Sequence, residues 1–146
     1  MLVGPRAEGG AVFAPNGRSI AFIADDSGHQ EAYVQPFDPE ARRLTGTRRQ
    51  ISRGGAGLVR WPKPGRELFY LGADYWIYAA TLTREPKRLF TVPASKFYAL
   101  FGFEVASGGE RFLLPAYRGD RPPSLAVVLN WENLVGSSSS GTAATR

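Results

Sequence analysis

His29 stands in the run DDSGHQE beside Asp25, Asp26 and Ser27, so a base, an acid and a hydroxyl lie within five positions of one another. A nucleophilic serine needs more than neighbours in sequence. Its base must be oriented by a third group, and the oxyanion needs donors; no G-x-S-x-G elbow occurs in the chain. The run is therefore expected to be a solvated loop between two strands. The same DDSG start resembles a calcium loop, but Ser27 and His29 stand where further Asp or Asn ligands belong, and no glutamate follows at the twelfth place. A turn whose Asp side chains bond local backbone N–H groups is the simpler reading.

Other chemistry is similarly thin. Glu104, Glu110, Asp120 and Glu132 invite a carboxylate pair for glycoside cleavage, yet that chemistry requires a defined separation that sequence cannot supply, so they are read as surface charge. Gly136 and Gly141 bracket GSSSSG at phosphate-loop spacing, but Thr142 and Ala143 follow where Lys and then Ser or Thr are required. The chain has no cysteine and one histidine, which excludes disulfides, thiolate metal sites and multi-histidine cages. No catalytic constellation, metal site or cofactor is expected, although a longer parent protein is allowed to be a kinase or hydrolase.

The charge is +5, with Arg42, Arg43, Arg48, Arg49, Arg53 and Arg60 falling in a stretch free of acids. Such a run is able to neutralise phosphates. Strand-rich nucleic-acid binders also interleave aromatics for stacking, and this stretch has none before Trp61. A solvated outer strand and its loop are preferred, with nucleic-acid binding through Arg42 to Arg60 kept as a third functional reading.

The elements that must carry these residues are written three times. Phe13, Trp61 and Val105 each precede a glycine by four places (Gly17, Gly65, Gly109), and Ile20, Leu68 and Phe112 follow three places later. The spacing suits a four-stranded propeller blade. Short runs rich in β-branched and aromatic residues, bounded by Gly, Pro, Asn and Asp, predict strands over 11–14, 18–24, 30–36 and 49–52 in the first unit. The second unit predicts strands over 57–61, 67–71, 75–81 and 88–92; the third predicts only 102–106, 111–117 and 124–131. PNGR and KPGR place glycine where a tight hairpin needs positive φ, and prolines interrupt every candidate helix. Hydrophobic content of 43% is enough for a core, and Trp61, Trp76 and Trp131 fall in strand patterns that packing explains.

FAPNGRSIAFIADDSGHQEAYVQPF and RWPKPGRELFYLGADYWIYAATL resemble the repeats of TolB-like β-propellers, with their aromatic-x-Pro-x-Gly-x-x-apolar signature. LAVVLNWENL is similar to the end of such propellers in bacterial membrane-anchored serine/threonine kinases and related periplasmic proteins. The resemblance runs from about Ala11 to Leu134, and its third copy, ASGGE, lacks the proline. It implies an all-β fold: a partial propeller of three four-stranded antiparallel blades, the last incomplete, equal to half of a six-bladed ring.

Residues 1–135 are assigned to that propeller, with blades over 11–53, 57–93 and 99–134, and residues 136–146 to a disordered Ser/Gly/Thr-rich tail. Three blades leave open edges, so either missing N-terminal blades of a longer chain or a second copy is expected to complete the ring. Blade topology puts the loop between strands two and three at the same end as the loop entering the next blade. That end gathers Asp26, His29, Arg53, Asp74, Tyr75, Lys96, Arg118 and Asp120, a mixed-charge rim suited to a protein or peptide partner. The expected function is a non-catalytic binding module, the C-terminal part of a larger sensor or envelope-associated protein. The rival is the substrate-gating propeller of a prolyl-oligopeptidase-type serine peptidase. No membrane span is read in the chain, and an extracytoplasmic or periplasmic location is expected only of an anchored parent.

Overall fold

The computed structural model describes residues 8–92, 102–116 and 124–129. Every regular element among them is a β-strand, arranged as three antiparallel sheets in chain order. The first contains β1 (Glu8–Phe13), β2 (Ser19–Ala24), β3 (Glu31–Asp38) and two short outer pieces, β4 (Arg43–Leu44) and β5 (Arg49–Gln50). The second is β6 (Ala56–Arg60), β7 (Leu68–Gly72), β8 (Trp76–Ala80) and β9 (Lys87–Thr91), and the third is β10 (Glu104–Val105), β11 (Arg111–Ala116) and β12 (Ser124–Leu129). Apart from β5, which pairs with β3, each strand pairs with its sequence neighbour within its sheet, the up-and-down order of a propeller blade. Among the described residues the third sheet has three strands, as the sequence predicts.

The recurrent phrase builds one recurrent turn. Gly17, Gly65 and Gly109 each donate their N–H to the carbonyl three residues back, on Ala14, Pro62 and Ala106, at 2.8, 2.9 and 3.0 Å. All three glycines have positive φ (69°, 91° and 79°), where a Cβ would be strained. The turns also touch in series. Lys63 O accepts from Gly108 N at 2.7 Å, and a Cβ on Gly65 would lie 3.1 Å from the Pro15 ring.

Alternation decides which sheet faces which. Leu68 and Tyr70 of β7 join Ala21, Ile23, Ala32 and Val34 in a core between the first and second sheets. Phe69 and Leu71, pointing the other way, join Ile77, Leu89, Phe103, Phe112 and Leu114 between the second and third. β7 is thus buried on both faces, which explains its unbroken apolar run LFYLG. Phe112 centres its core: the rings of Phe69 and Phe90 meet it edge-on at 5.2 and 5.1 Å. Phe22, Ala24 and Tyr33 form a smaller cluster on the face of the first sheet turned away from the second. On that same side Phe13, 57% exposed, packs edge-on against Phe37.

One strand departs from expectation. The outer strand predicted over 49–52 is confined to Arg49–Gln50 (β5), and an outer piece the sequence did not predict, β4, pairs with β3 ahead of it across a break from Thr45 to Arg48. Opposite the break β3 carries Pro36, which accepts from Thr45 N at 2.9 Å but has no N–H to donate in return, and Gly46 turns the chain at φ 58°. The tail from Gly136, the end of the blade expected over 99–134, and Trp131 lie outside the described residues.

Candidate functional site

The end of the array that carries the β2–β3 and β7–β8 turns is stitched together by backbone bonds. Gln30 O accepts from Ala56 N at 2.7 Å, Gly55 O from Ala73 N at 3.1 Å, and Tyr75 O from Val92 N at 2.8 Å. The loop bearing Asp26 and His29, the crossing bearing Arg53, and the turn bearing Asp74 and Tyr75 are therefore consecutive parts of one rim. Lys96, Arg118 and Asp120 lie outside the described residues.

A buried carboxylate holds the crossing in place. Glu31, 3% exposed, opens β3, and its Oε1 accepts from the backbone N–H of Gly54 (2.9 Å) and Gly55 (3.0 Å). Its Oε2 accepts from the Ser52 hydroxyl, which in turn accepts from Ala32 N at 2.7 Å. An unpaired buried carboxylate is strongly unfavourable, and three donors here supply what water would. Gly55 is required twice over: its φ is 100°, and a Cβ would approach that of Ala73 to 2.7 Å.

On the rim itself the side chains divide into the paired and the free. Asp26 accepts from Arg48 at 2.8 Å, and the Arg48 guanidinium lies over the Phe22 ring. Asp74 Oδ2 accepts from the Tyr78 hydroxyl at 2.8 Å and from Arg88 at 3.0 Å, while Arg88 also donates to Tyr78 and covers the Trp76 ring at 5.3 Å. Burial, then the hydrogen bond to Asp74, pushes the Tyr78 hydroxyl above its ordinary pKa. Tyr70 stacks on Tyr78 at 4.8 Å and is pushed up too, first by burial. Arg53 is exposed and makes no ion pair among the described residues. Asp25 Oδ1 is buried without a hydrogen-bond partner, an acceptor with no donor.

Tyr75 is the most unusual residue of the rim. It closes a three-residue turn, with its N–H donated to Gly72 O at 3.0 Å, and sits at φ 63° with 41% of its surface exposed. Such hairpins place a left-handed residue last, a role glycine fills at least cost.

Ser27 Oγ donates to the backbone carbonyl of His29 at 3.3 Å, so the DDSGHQE run is a self-bonded turn. Among the described residues no group of three or more His, Asp or Glu could hold a metal ion. The arginine stretch is scattered rather than gathered: Arg48 pairs with Asp26, Arg60 with Glu104 at 2.9 Å, and Arg49 bonds Leu82 O. Sequence reasoning missed the Glu31 clamp, the Asp74–Tyr78–Arg88 network and the unsatisfied Asp25 oxygen. An acid opening an otherwise apolar strand, EAYV, is the one signal that pointed to the first.

No family model matches the chain, and no curated protein does. Solved structures do. TolB from Acinetobacter baumannii superposes with a TM-score of 0.60 at 17% identity over 84% of this chain. An oligogalacturonate lyase in complex with manganese superposes with a TM-score of 0.61 at 12% identity over 91%. Both are propellers, so the chain has a TolB-like propeller fold, as its repeats imply. It spans 30% of the TolB chain and 38% of the lyase chain. No helix among the described residues is long and apolar enough to cross a membrane.

Proposed function

We propose that this propeller module is non-catalytic and binds a protein or peptide partner on the rim formed by the β2–β3 loop, the Arg53 crossing and the β7–β8 turn. Its place is the C-terminal part of a larger sensor or envelope-associated protein, a reading supported by the fraction of each similar propeller that the chain spans. The observation that carries it is Tyr75: an exposed aromatic held in a backbone conformation costly to a non-glycine residue. Local strain that packing does not explain points toward function. Arg53, exposed and without an ion pair among the described residues, adds a cation to the same rim, and an aromatic with a cation suits polypeptide recognition.

Selection of peptides from a random displayed library on the immobilised chain tests this. Binders are expected to lose about tenfold or more in affinity to Tyr75→Ser and Arg53→Gln variants, the scale of a lost aromatic anchor or cation. Binders indifferent to both changes place the interaction elsewhere and end this reading.

A further inference from the structure

At the opposite end of the sheets, where the β1–β2 and β6–β7 turns lie, a cleft of about 400 Å³ opens between the β6–β7 turn and the β8–β9 loop. That is the lower range of volumes that enclose small ligands or single side chains. Leu68 and Ala80, both buried, form its floor together with Trp61, whose indole N–H is tied to Gly65 O at 3.2 Å. Arg66 flanks one wall and Arg84 the other, both exposed.

Neither guanidinium forms an ion pair or hydrogen bond among the described residues, although Glu67 and Glu85 adjoin them in sequence. The wall carrying Arg84 is already ordered. Thr81 Oγ1 accepts from Thr83 N and Arg84 N at 3.4 and 3.2 Å, and Arg49 from the first sheet bonds Leu82 O, adding a third positive charge beside the loop. Two free forks over an apolar floor suit an anion on a short hydrocarbon stem. A glutamate side chain matches both parts, because its methylenes suit the accessible apolar lining of Trp61 and Leu82 while its carboxylate suits the guanidiniums. A bare phosphate would leave the floor uncovered.

We propose that this cleft binds a glutamate side chain of an acidic peptide segment, with Arg66 and Arg84 from opposite walls as its anion contacts. The site is separate from the rim of the proposed function and does not depend on it.

The test follows the amide signals of Thr83 and Arg84 and the Trp61 indole signal by nuclear magnetic resonance. The full chain is titrated with a capped tri-glutamate peptide, its tri-glutamine counterpart and inorganic phosphate. The glutamate peptide alone is expected to give saturable shifts at these signals. The Arg66→Gln/Arg84→Gln pair is expected to weaken it about tenfold or more, as loss of charged bidentate bonds predicts, while Arg111→Gln on the third sheet leaves it unchanged. Equal response to phosphate, response to the glutamine peptide, or equal weakening by Arg111→Gln each overturns the proposal.

Discussion

Tyr75 ends the β7–β8 turn in the left-handed backbone region, at φ 63°, that Gly28 occupies, at φ 88°, in the β2–β3 loop. In loops of different length each donates its N–H to the carbonyl three residues back, Gly72 for Tyr75 and Asp25 for Gly28. In one the sequence supplies the residue suited to it; in the other it supplies an aromatic that carries a cost of about 1–2 kcal/mol. Burial recovers only part of that cost, since 41% of the residue stays exposed.

Replacing Tyr75 with glycine is therefore expected to raise stability, by about 1 kcal/mol or somewhat less once the greater freedom of glycine in the unfolded chain is included. Tyr75→Val is expected to lower it, because a β-branched residue fits the left-handed region worst. Urea unfolding of the three proteins measures both. Selected rim-binding peptides should lose affinity for the glycine variant as its midpoint rises, a division of stability from function that a purely structural tyrosine would not show.

Glu31→Ala removes the acceptor for two backbone N–H groups and the Ser52 hydroxyl at once. A loss of about 3 kcal/mol is expected, with Ser52→Ala nearer ~1–2 kcal/mol, since it leaves Ala32 N without its partner. Glu31→Gln keeps an oxygen for Gly54 and Gly55 and should fall between wild type and Glu31→Ala. Denaturant midpoints that leave Glu31→Ala unchanged would show the crossing to be held by something else.

Asp38 caps the β3–β4 connection: its Oδ1 accepts from Ala41 N at 3.0 Å and Glu40 N at 2.9 Å. The bond from Ala41 leads in holding the carboxyl below its ordinary value of 3.8, with Glu40 and the nearby Arg43 and Arg18 acting the same way. A depressed folded pKa means that the stabilisation is complete above the unfolded value and disappears as pH falls through the lower folded one. The Ala41 amide signal should therefore move only at a pH below that at which an unperturbed aspartate titrates. In Asp38→Asn that movement should vanish while the turn persists, because an amide oxygen still accepts.

The residues that repeat were legible in the sequence, and so were the strands they bound. Gly17, Gly65 and Gly109 declare their turns because little else tolerates that backbone, and LFYLG declares a strand covered on both sides. The break in the outer strand was legible only in part. Pro36 announces a missing donor, but which partner strand loses its bond depends on pairing. Glu31 was opaque because its partner Ser52 is 21 positions away and its other partners are backbone groups, which no residue type advertises. Strand order alone placed Tyr75 in the β7–β8 turn, at the end that also carries the β2–β3 loop. Its unusual φ contradicts its propensity, so no local rule could have supplied it. Which loops share that end follows from strand order, and the pairing of Asp26 with Arg48 and Asp74 with Arg88 required coordinates.

The bond from Gly108 N to Lys63 O, together with the seat of Gly65 against Pro15, fixes how one sheet is pitched against the next. Because a main-chain group is the donor and a main-chain group the acceptor, the joint has little dependence on side-chain identity. It behaves like a hinge pin between the second and third leaves: the sequences of those two turns are free to drift apart so long as each keeps a tight turn of the same height, whereas the joint to the first leaf still asks for the Pro15 ring and the bare Gly65. That freedom is visible already, since Pro62-Lys63-Pro64 and Ala106-Ser107-Gly108 share no residue at their second or third positions and still meet in line.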